Sequence, residues 1–201
     1  SGLNNRAMAR TESYMLPLNT EAPNFSLTNG VDQIKVTLRE VKGTSGTLVI
    51  FMCNHCPYVL HLLEKIVEVS HDIKKLGINT VAISSNDIEN YPDDRPELMQ
   101  KLALEKSFDF PYLYDPTQEV ALSYEAACTP DFYLFDQDLK LVYRGRFDDA
   151  RPKNDNPITG KDLINACQKL LNGAAQETNQ IPSLGCNIKW KAGNEPKGFS
   201  N

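Results

Sequence analysis

Residues 47–52 (Thr-Leu-Val-Ile-Phe-Met) form an apolar, largely β-branched or aromatic run that stops at Cys53-Asn54-His55-Cys56. An amphipathic segment begins at once. Over residues 59–76, Val59, Leu63, Ile66 and Ile73 keep a helical spacing, with Leu60, Leu62 and Val67 widening the stripe. A chain with this junction has few ways to fold, because a buried strand must pass into a helix across two cysteines. Free N–H groups and the positive dipole end at a helix N-terminus favour a thiolate over a thiol. Pro57 suits the first turn, where a proline removes no intrahelical hydrogen bond. Residue types and spacing together point to thiol chemistry.

With 201 residues and 41% hydrophobic content the chain can bury one sizeable core, so a single domain is predicted. The net charge of −5 argues against nucleic acid and anionic membrane as partners. No apolar run approaches the roughly 20 residues that span a bilayer. No charged-then-apolar leader precedes the polar start either, so a cytoplasmic location is expected, a cleaved export signal being invisible to such a reading. Ser1-Gly2 reads as a cloning scar, with a native start near Met8. Five cysteines, an odd number, fit poorly with a disulfide-stapled secreted scaffold. In a reducing compartment a C-x-x-C is redox-active or metal-binding.

Along the chain, residues 1 to about 20 are polar and are expected to be irregular and mobile. Residues 22–27 alternate, and Thr28-Asn29-Gly30 signals a turn into residues 34–38, an edge hairpin. The strand at 47–52 and its helix follow, the helix ending near Lys74-Lys75-Leu76-Gly77. Residues 78–84 read as a buried strand leaving at the C-x-x-C end of the sheet. Residues 86–96 read as a polar loop, 96–107 as a helix opened by Pro96, 110–114 as a short strand and 116–124 as a small helix. Two strands, 131–135 and 140–143, make a hairpin. Residues 148–159 form a second polar loop and 160–171 an amphipathic helix. From Ala174 the tail shows no period, yet it holds Cys186, Ile188 and Trp190, which suggests docking on the body. The βαβαβ order implies parallel strands flanked by helices, with the later hairpin as an antiparallel edge.

The strand–Cys53-x-x-Cys56–helix junction, with Thr129-Pro130 just before the second hairpin, resembles the thioredoxin-fold superfamily. The opening Ala22-Pro23-Asn24-Phe25-Ser26-Leu27, and about 40 residues inserted between Ser85 and Ala126, resemble its alkyl hydroperoxide reductase/thiol-specific antioxidant (AhpC/TSA, peroxiredoxin-like) branch. Residues 51–58 and 185–191 are similar to a bacterial thioredoxin-related subgroup. The resemblance spans about 16–196. It implies an α/β thioredoxin-like fold: a central mixed β-sheet flanked by helices, with an N-terminal β-hairpin and an insertion before the cis-Pro hairpin. Residues 16–173 would form the domain and 174–201 a docked tail. It further implies that Thr129-Pro130 is cis and faces the cysteines. The chain departs from peroxiredoxins, whose P-x-x-x-T-x-x-C proline and threonine positions are here Gly46 and Ile50, with Thr129 where they place an arginine.

The function expected is a thiol–disulfide oxidoreductase without a cofactor beyond its redox-active disulfide. Cys53, exposed at the helix start, attacks and Cys56 resolves. His55 supports the thiolate, which favours the reduced form and gives a couple more oxidising than thioredoxin's, on the order of −120 to −230 mV. Substrates would be disulfide-bearing or oxidised proteins or small molecules, and reductants thioredoxin-type or low-molecular-weight thiols. The chain would be a monomer or homodimer with antioxidant and redox-homeostatic roles. One alternative is a thiol peroxidase in which Cys53 becomes a sulfenic acid. Another is a metal-binding or copper-chaperone module, for which Cys53, His55, Cys56 and Cys186 supply nominal ligands. Without a second C-x-x-C, and with His61 and His71 along the helix, no metal is expected. Cys128 reads as a packed residue before a third redox thiol, and Cys167 as core. Cys186 reads as a plain tail cysteine before a resolving thiol for Cys53 or Cys128. Arg144, Arg146 and the Asp93-Asp94 pair are expected to be solvated.

Overall fold

The computed structural model describes residues 10–196. The first element, β1 (Arg10–Glu12), lies where an irregular start was expected. Residues 1–9, including the expected start at Met8, fall outside the described residues. An antiparallel hairpin of β2 (Ser26–Asn29) and β3 (Lys35–Thr37) follows, paired Leu27 to Val36. Thr37 then caps a short helix the sequence reading missed, α1 (Leu38–Val41), through a reciprocal pair of bonds with Glu40. Next come β4 (Gly46–Phe51), α2 (Pro57–Lys74) and β5 (Ile78–Ser84). The insertion contributes α3 (Pro96–Glu105), β6 (Tyr112–Tyr114) and α4 (Glu119–Ser123). After it run β7 (Cys128–Thr129), β8 (Asp131–Asp136), β9 (Leu141–Gly145), α5 (Lys161–Leu171) and β10 (Leu184–Asn187).

Seven strands form one mixed sheet in the order β3-β2-β6-β5-β4-β8-β9. β4, β5 and β6 are parallel, as the βαβαβ order predicts, and β8–β9 supplies the antiparallel edge. The period-two geometry of β4 sorts its side chains onto two cores. Leu48, Ile50 and Met52 join α2, α3 and α5 on one face. Val49 and Phe51 join α1 and α4 on the other. Every residue of β4 is buried, so the central strand is held from both sides, each large apolar side chain contributing about 1.5–3 kcal/mol.

A second, three-stranded sheet in the order β1-β10-β7 was not foreseen. Its strands are too short to show a period. It joins residues 10–12 to residues 184–187, with Arg10 opposite Cys186, and lays Cys186 opposite Thr129. Arg144 and Arg146 are not solvated strand-end cations. Arg144 Nε donates to the Leu16 carbonyl and its Nη1 to Gln180, and Arg146 Nε pairs with Asp162 at 2.6 Å. They secure the chain around β9 because the tail folds back across it.

Candidate active site at the strand–helix junction

β4 ends at Phe51, Met52 N donates to the Ile83 carbonyl, and four residues after Met52 Cys56 is the N-cap of α2, with Pro57 as its first helical residue. Both cysteines therefore sit at the C-terminal end of the parallel strands, in the field of the helix N-terminus. The Thr129–Pro130 peptide is cis, as the resemblance implies, and β7 brings Thr129 to both sulfurs. Cys53 Sγ lies 3.8 Å from Thr129 Oγ1, and the Cys56 thiol donates to the Thr129 carbonyl at 3.4 Å. All five cysteines are unpaired thiols.

Two expectations about these sulfurs need correcting. Cys53 is not exposed: it is 1% accessible, and Cys56 is fully buried. Nor does Cys53 hold the charge most readily. The hydrogen bond with Cys56, then burial, then the Asp94 carboxylate and the charge of Cys56 push the Cys53 thiol up, against a smaller opposing effect of Thr129. Burial also pushes Cys56 up, but hydrogen bonds from Cys186, Cys53 and Thr129, with the Val59 amide, outweigh it and hold Cys56 well below the usual thiol range. Of the two thiols, the inner one, Cys56, is therefore the more easily ionised.

Asp94 explains both the closure and the charge. The sequence reading placed it in a solvated acidic run; instead it is completely buried. Its Oδ1 accepts from the Asn54 amide at 2.9 Å, and its Oδ2 accepts from Asn86 Nδ2 at 2.9 Å. His55 Nδ1 stands 2.8 Å from the same Oδ2, close enough for an ion pair although its angle is not that of a good hydrogen bond. Asp94 raises the His55 pKa, burial opposing it. His55 is thus engaged by a carboxylate, and among the sulfurs it is Cys56 rather than Cys53 whose charge bears on it. Asn54 Nδ2 donates to the Asp93 carbonyl, and Tyr112 Oη donates to Asn54 Oδ1 at 2.8 Å, so the residues between the cysteines are pinned on both sides.

Lys189 closes the other flank, and nothing in the sequence reading singled it out. It is 4% accessible; its amide donates to Asn86 Oδ1, and its carbonyl accepts from the Asp87 amide and from Gln118 Nε2. Its ammonium donates to Asn187 and lies 5.7 Å from the centre of the Tyr91 ring, which stacks parallel to His55. Burial lowers its pKa, while the charges of Cys186, Cys53, Cys56 and Asp94 oppose that. The signal available was its place two residues after Asn187 in the Gly-Cys-Asn-Ile-Lys-Trp-Lys stretch. Of the remaining predicted residues, Cys186 lies in the same buried cluster as Cys53 and Cys56, and Cys56 and burial push its thiol up. Cys128 faces away, its thiol directed to the Pro130 and Ser183 carbonyls, and Cys167 is a buried residue of α5.

Cys53, His55 and Asp94 also bring one ligand atom each within 4.8 Å of one another, a group able to face a metal ion. It differs from the set considered from sequence in replacing Cys56 and Cys186 by Asp94. Both Asp94 oxygens already serve Asn54, Asn86 and His55, so an ion would have to displace those bonds.

A profile of the AhpC/TSA family matches residues 18–144. No curated protein matches the chain. Among solved structures, the chain is similar to an uncharacterized conserved protein from Geobacillus kaustophilus, with 52% identity, 92% of this chain and 97% of that one covered, and a TM-score of 0.90. It is also similar to a hypothetical protein from Sinorhizobium meliloti 1021, with 42% identity, coverage of 91% and 100%, and a TM-score of 0.89. The thioredoxin domain of a thiol-disulfide oxidoreductase from Bacteroides vulgatus shares the fold, with a TM-score of 0.61 at 20% identity over 78% of this chain and 99% of that one.

Proposed function

Because the chain belongs to the AhpC/TSA family, we propose that it is a thiol–disulfide oxidoreductase whose working couple is Cys53–Cys56. The observation that carries this reading is the dithiol itself, two thiols at a helix N-terminus that both reach Thr129. Peroxide chemistry is less well supported, because Gly46 and Ile50 lie in a wholly buried strand and offer no polar group to a peroxide.

In the proposed cycle the Cys56 thiolate takes the proton of Cys53. Cys53 Sγ then attacks one sulfur of a substrate disulfide. The second substrate sulfur leaves with the bonding pair and takes the proton back from Cys56. Cys56 next attacks Cys53 Sγ, the Cys53–Cys56 bond forms, and the first substrate sulfur departs as a thiolate that water protonates. The substrate gains two electrons and the dithiol becomes a disulfide, which a thioredoxin-type or low-molecular-weight thiol reduces. Thr129 and Pro130 form the edge beside which the substrate lies. Residues 85–95 or 184–190 must yield to admit it, since both sulfurs are covered in the resting state. Stabilising the reduced form through Cys56 makes the couple more oxidising than thioredoxin's.

Stopped-flow rates for a model disulfide and for hydrogen peroxide test the proposal. The reduced protein should react with the disulfide, Cys56→Ser should accumulate a mixed disulfide on Cys53, and Cys53→Ser should lose turnover. Fast peroxide consumption with no disulfide exchange would replace this reading by a thiol peroxidase. A metal-binding module draws on the Cys53, His55 and Asp94 group. Stoichiometric metal retained through purification and lost in Cys53→Ser would favour it.

A further inference from the structure

We infer that Cys186 is a third redox thiol of this site, and that the disulfide formed at Cys53–Cys56 passes inward to become Cys56–Cys186. This rests on the Cys53–Cys56 reading and extends it. From sequence alone Cys186 belongs to a tail without a period, and its prospective partners were Cys53 and Cys128. The fold gives it a different one. β10 lies antiparallel to β7 with Cys186 opposite Thr129, the residue both dithiol sulfurs reach. Cys53, Cys56 and Cys186 lie in one buried cluster, and the Cys56 and Cys186 thiols stand close enough to bear on each other's ionisation, so Cys56 has a second thiol near it besides Cys53.

The close approach is built into the backbone. At Gly185 a Cβ would run into the Thr129 carbonyl, so only glycine lets β10 lie this near β7 and carry Cys186 up to Cys56. Cys128 is excluded from the exchange by the same pairing. It stands opposite Asn187, the next residue along, with its thiol turned to the Pro130 and Ser183 carbonyls. Cys186 is 4% accessible, which disfavours reaction with thiols from solvent and leaves Cys56 as its partner. Lys189 sits where its charge bears on Cys186, Cys53 and Cys56 alike, so one negative charge is accommodated on whichever sulfur holds it during exchange.

In the step itself, Cys186 Sγ attacks Cys56 Sγ of the Cys53–Cys56 disulfide. The Cys56–Cys186 bond forms, the Cys53–Cys56 bond breaks, and Cys53 leaves with the electron pair and takes the proton given up by Cys186. No electrons enter or leave the protein. Cys53 is again free to meet a second disulfide, while the first oxidising equivalent is stored under β10.

The test is a disulfide map of the full chain. Reduced protein is oxidised with diamide, quenched in acid, alkylated with N-ethylmaleimide, digested and read by mass spectrometry. Wild type is expected to yield both Cys53–Cys56 and Cys56–Cys186 peptides, and Cys53→Ser to yield Cys56–Cys186. Cys186→Ser should give Cys53–Cys56 alone. If that variant does not fold, Cys53→Ser, which leaves β10 intact, decides. Cys186 fully alkylated in both oxidised wild type and Cys53→Ser, with Cys53–Cys56 present in wild type, overturns the relay and leaves the oxidoreductase reading standing. No intramolecular disulfide in any protein overturns both.

Discussion

One buried carboxylate, Asp94, ties the C-x-x-C loop to the segment after β5, through Asn54 on one side and Asn86 on the other, with His55 against the same oxygen. Because Asp94 raises the His55 pKa, the sign of its pH dependence follows. The folded pKa lies above the ordinary 6.5, so the stabilisation is fully present below that value and is lost as pH rises through the folded pKa. Asp94→Asn should remove this dependence and lower the His55 pKa, read from its ring-proton NMR titration. It should also reduce stability by about 2 kcal/mol in urea unfolding, since bonds to a buried charged group are lost. A His55 titration unmoved by the substitution would mean that the pair does not exist in solution. The same variant should ease ionisation of Cys53, whose thiol Asp94 opposes, measured by the pH dependence of its alkylation.

At the scale of elements, the strand least visible in the sequence contributes most to closing the site. Leu184–Asn187 binds β1 on one edge and β7 on the other, and Lys189 just beyond it holds the Asn86–Asp87 turn. The narrow point is Gly185 against Thr129. Gly185→Ala must push β10 away, and overpacking of this kind costs about 1–3 kcal/mol. Urea unfolding should show that loss, and the accessibility of Cys56 to an alkylating agent should rise with it. Unchanged stability and thiol reactivity would show that β10 sits farther from β7 than described. β4 behaves in the opposite manner: its alternation between two apolar cores is written in its own residues and needs no partner to be recognised.

Across the whole molecule the two sheets meet at Asp131, the first residue of β8. Ser13 Oγ donates to its Oδ1 at 2.7 Å, and the Ala127 amide and Tyr133 Oη point at its Oδ2. Ser13 in turn accepts from the Ser183 amide, so one carboxyl joins the start of the chain, the central sheet and the tail. Burial lifts its pKa from 3.8 to about 7, against the lowering effect of Ser13 and its other partners. In that window the unfolded chain has released the proton and the folded one retains it, so stability falls as pH rises. Relative to Asp131→Asn, the wild type should lose at most about 4 kcal/mol between pH 4 and pH 7. Parallel urea curves for the two proteins across that range would rule out a buried, protonatable Asp131.

Much of this was legible beforehand because it depends on short-range pattern. The apolar run into Cys53, the helical stripe after Pro57, the hairpin at residues 131–145 and the turn at Gly30 each state their element within a dozen residues, and with the motif they specify the thioredoxin-like sheet. Contacts between residues distant in the chain left no such trace. Asp94 looks like any loop carboxylate until Asn54 and His55, some forty residues earlier, meet it. Cys186 gains a partner only when β10 crosses to β7. The sequence by itself determined where two sulfurs meet a helix N-terminus, since periodicity and local capping decide that. Only the tertiary structure decided that they are covered, which of them ionises more readily and which third sulfur lies beside them, because desolvation and hydrogen bonding act through space and not along the chain.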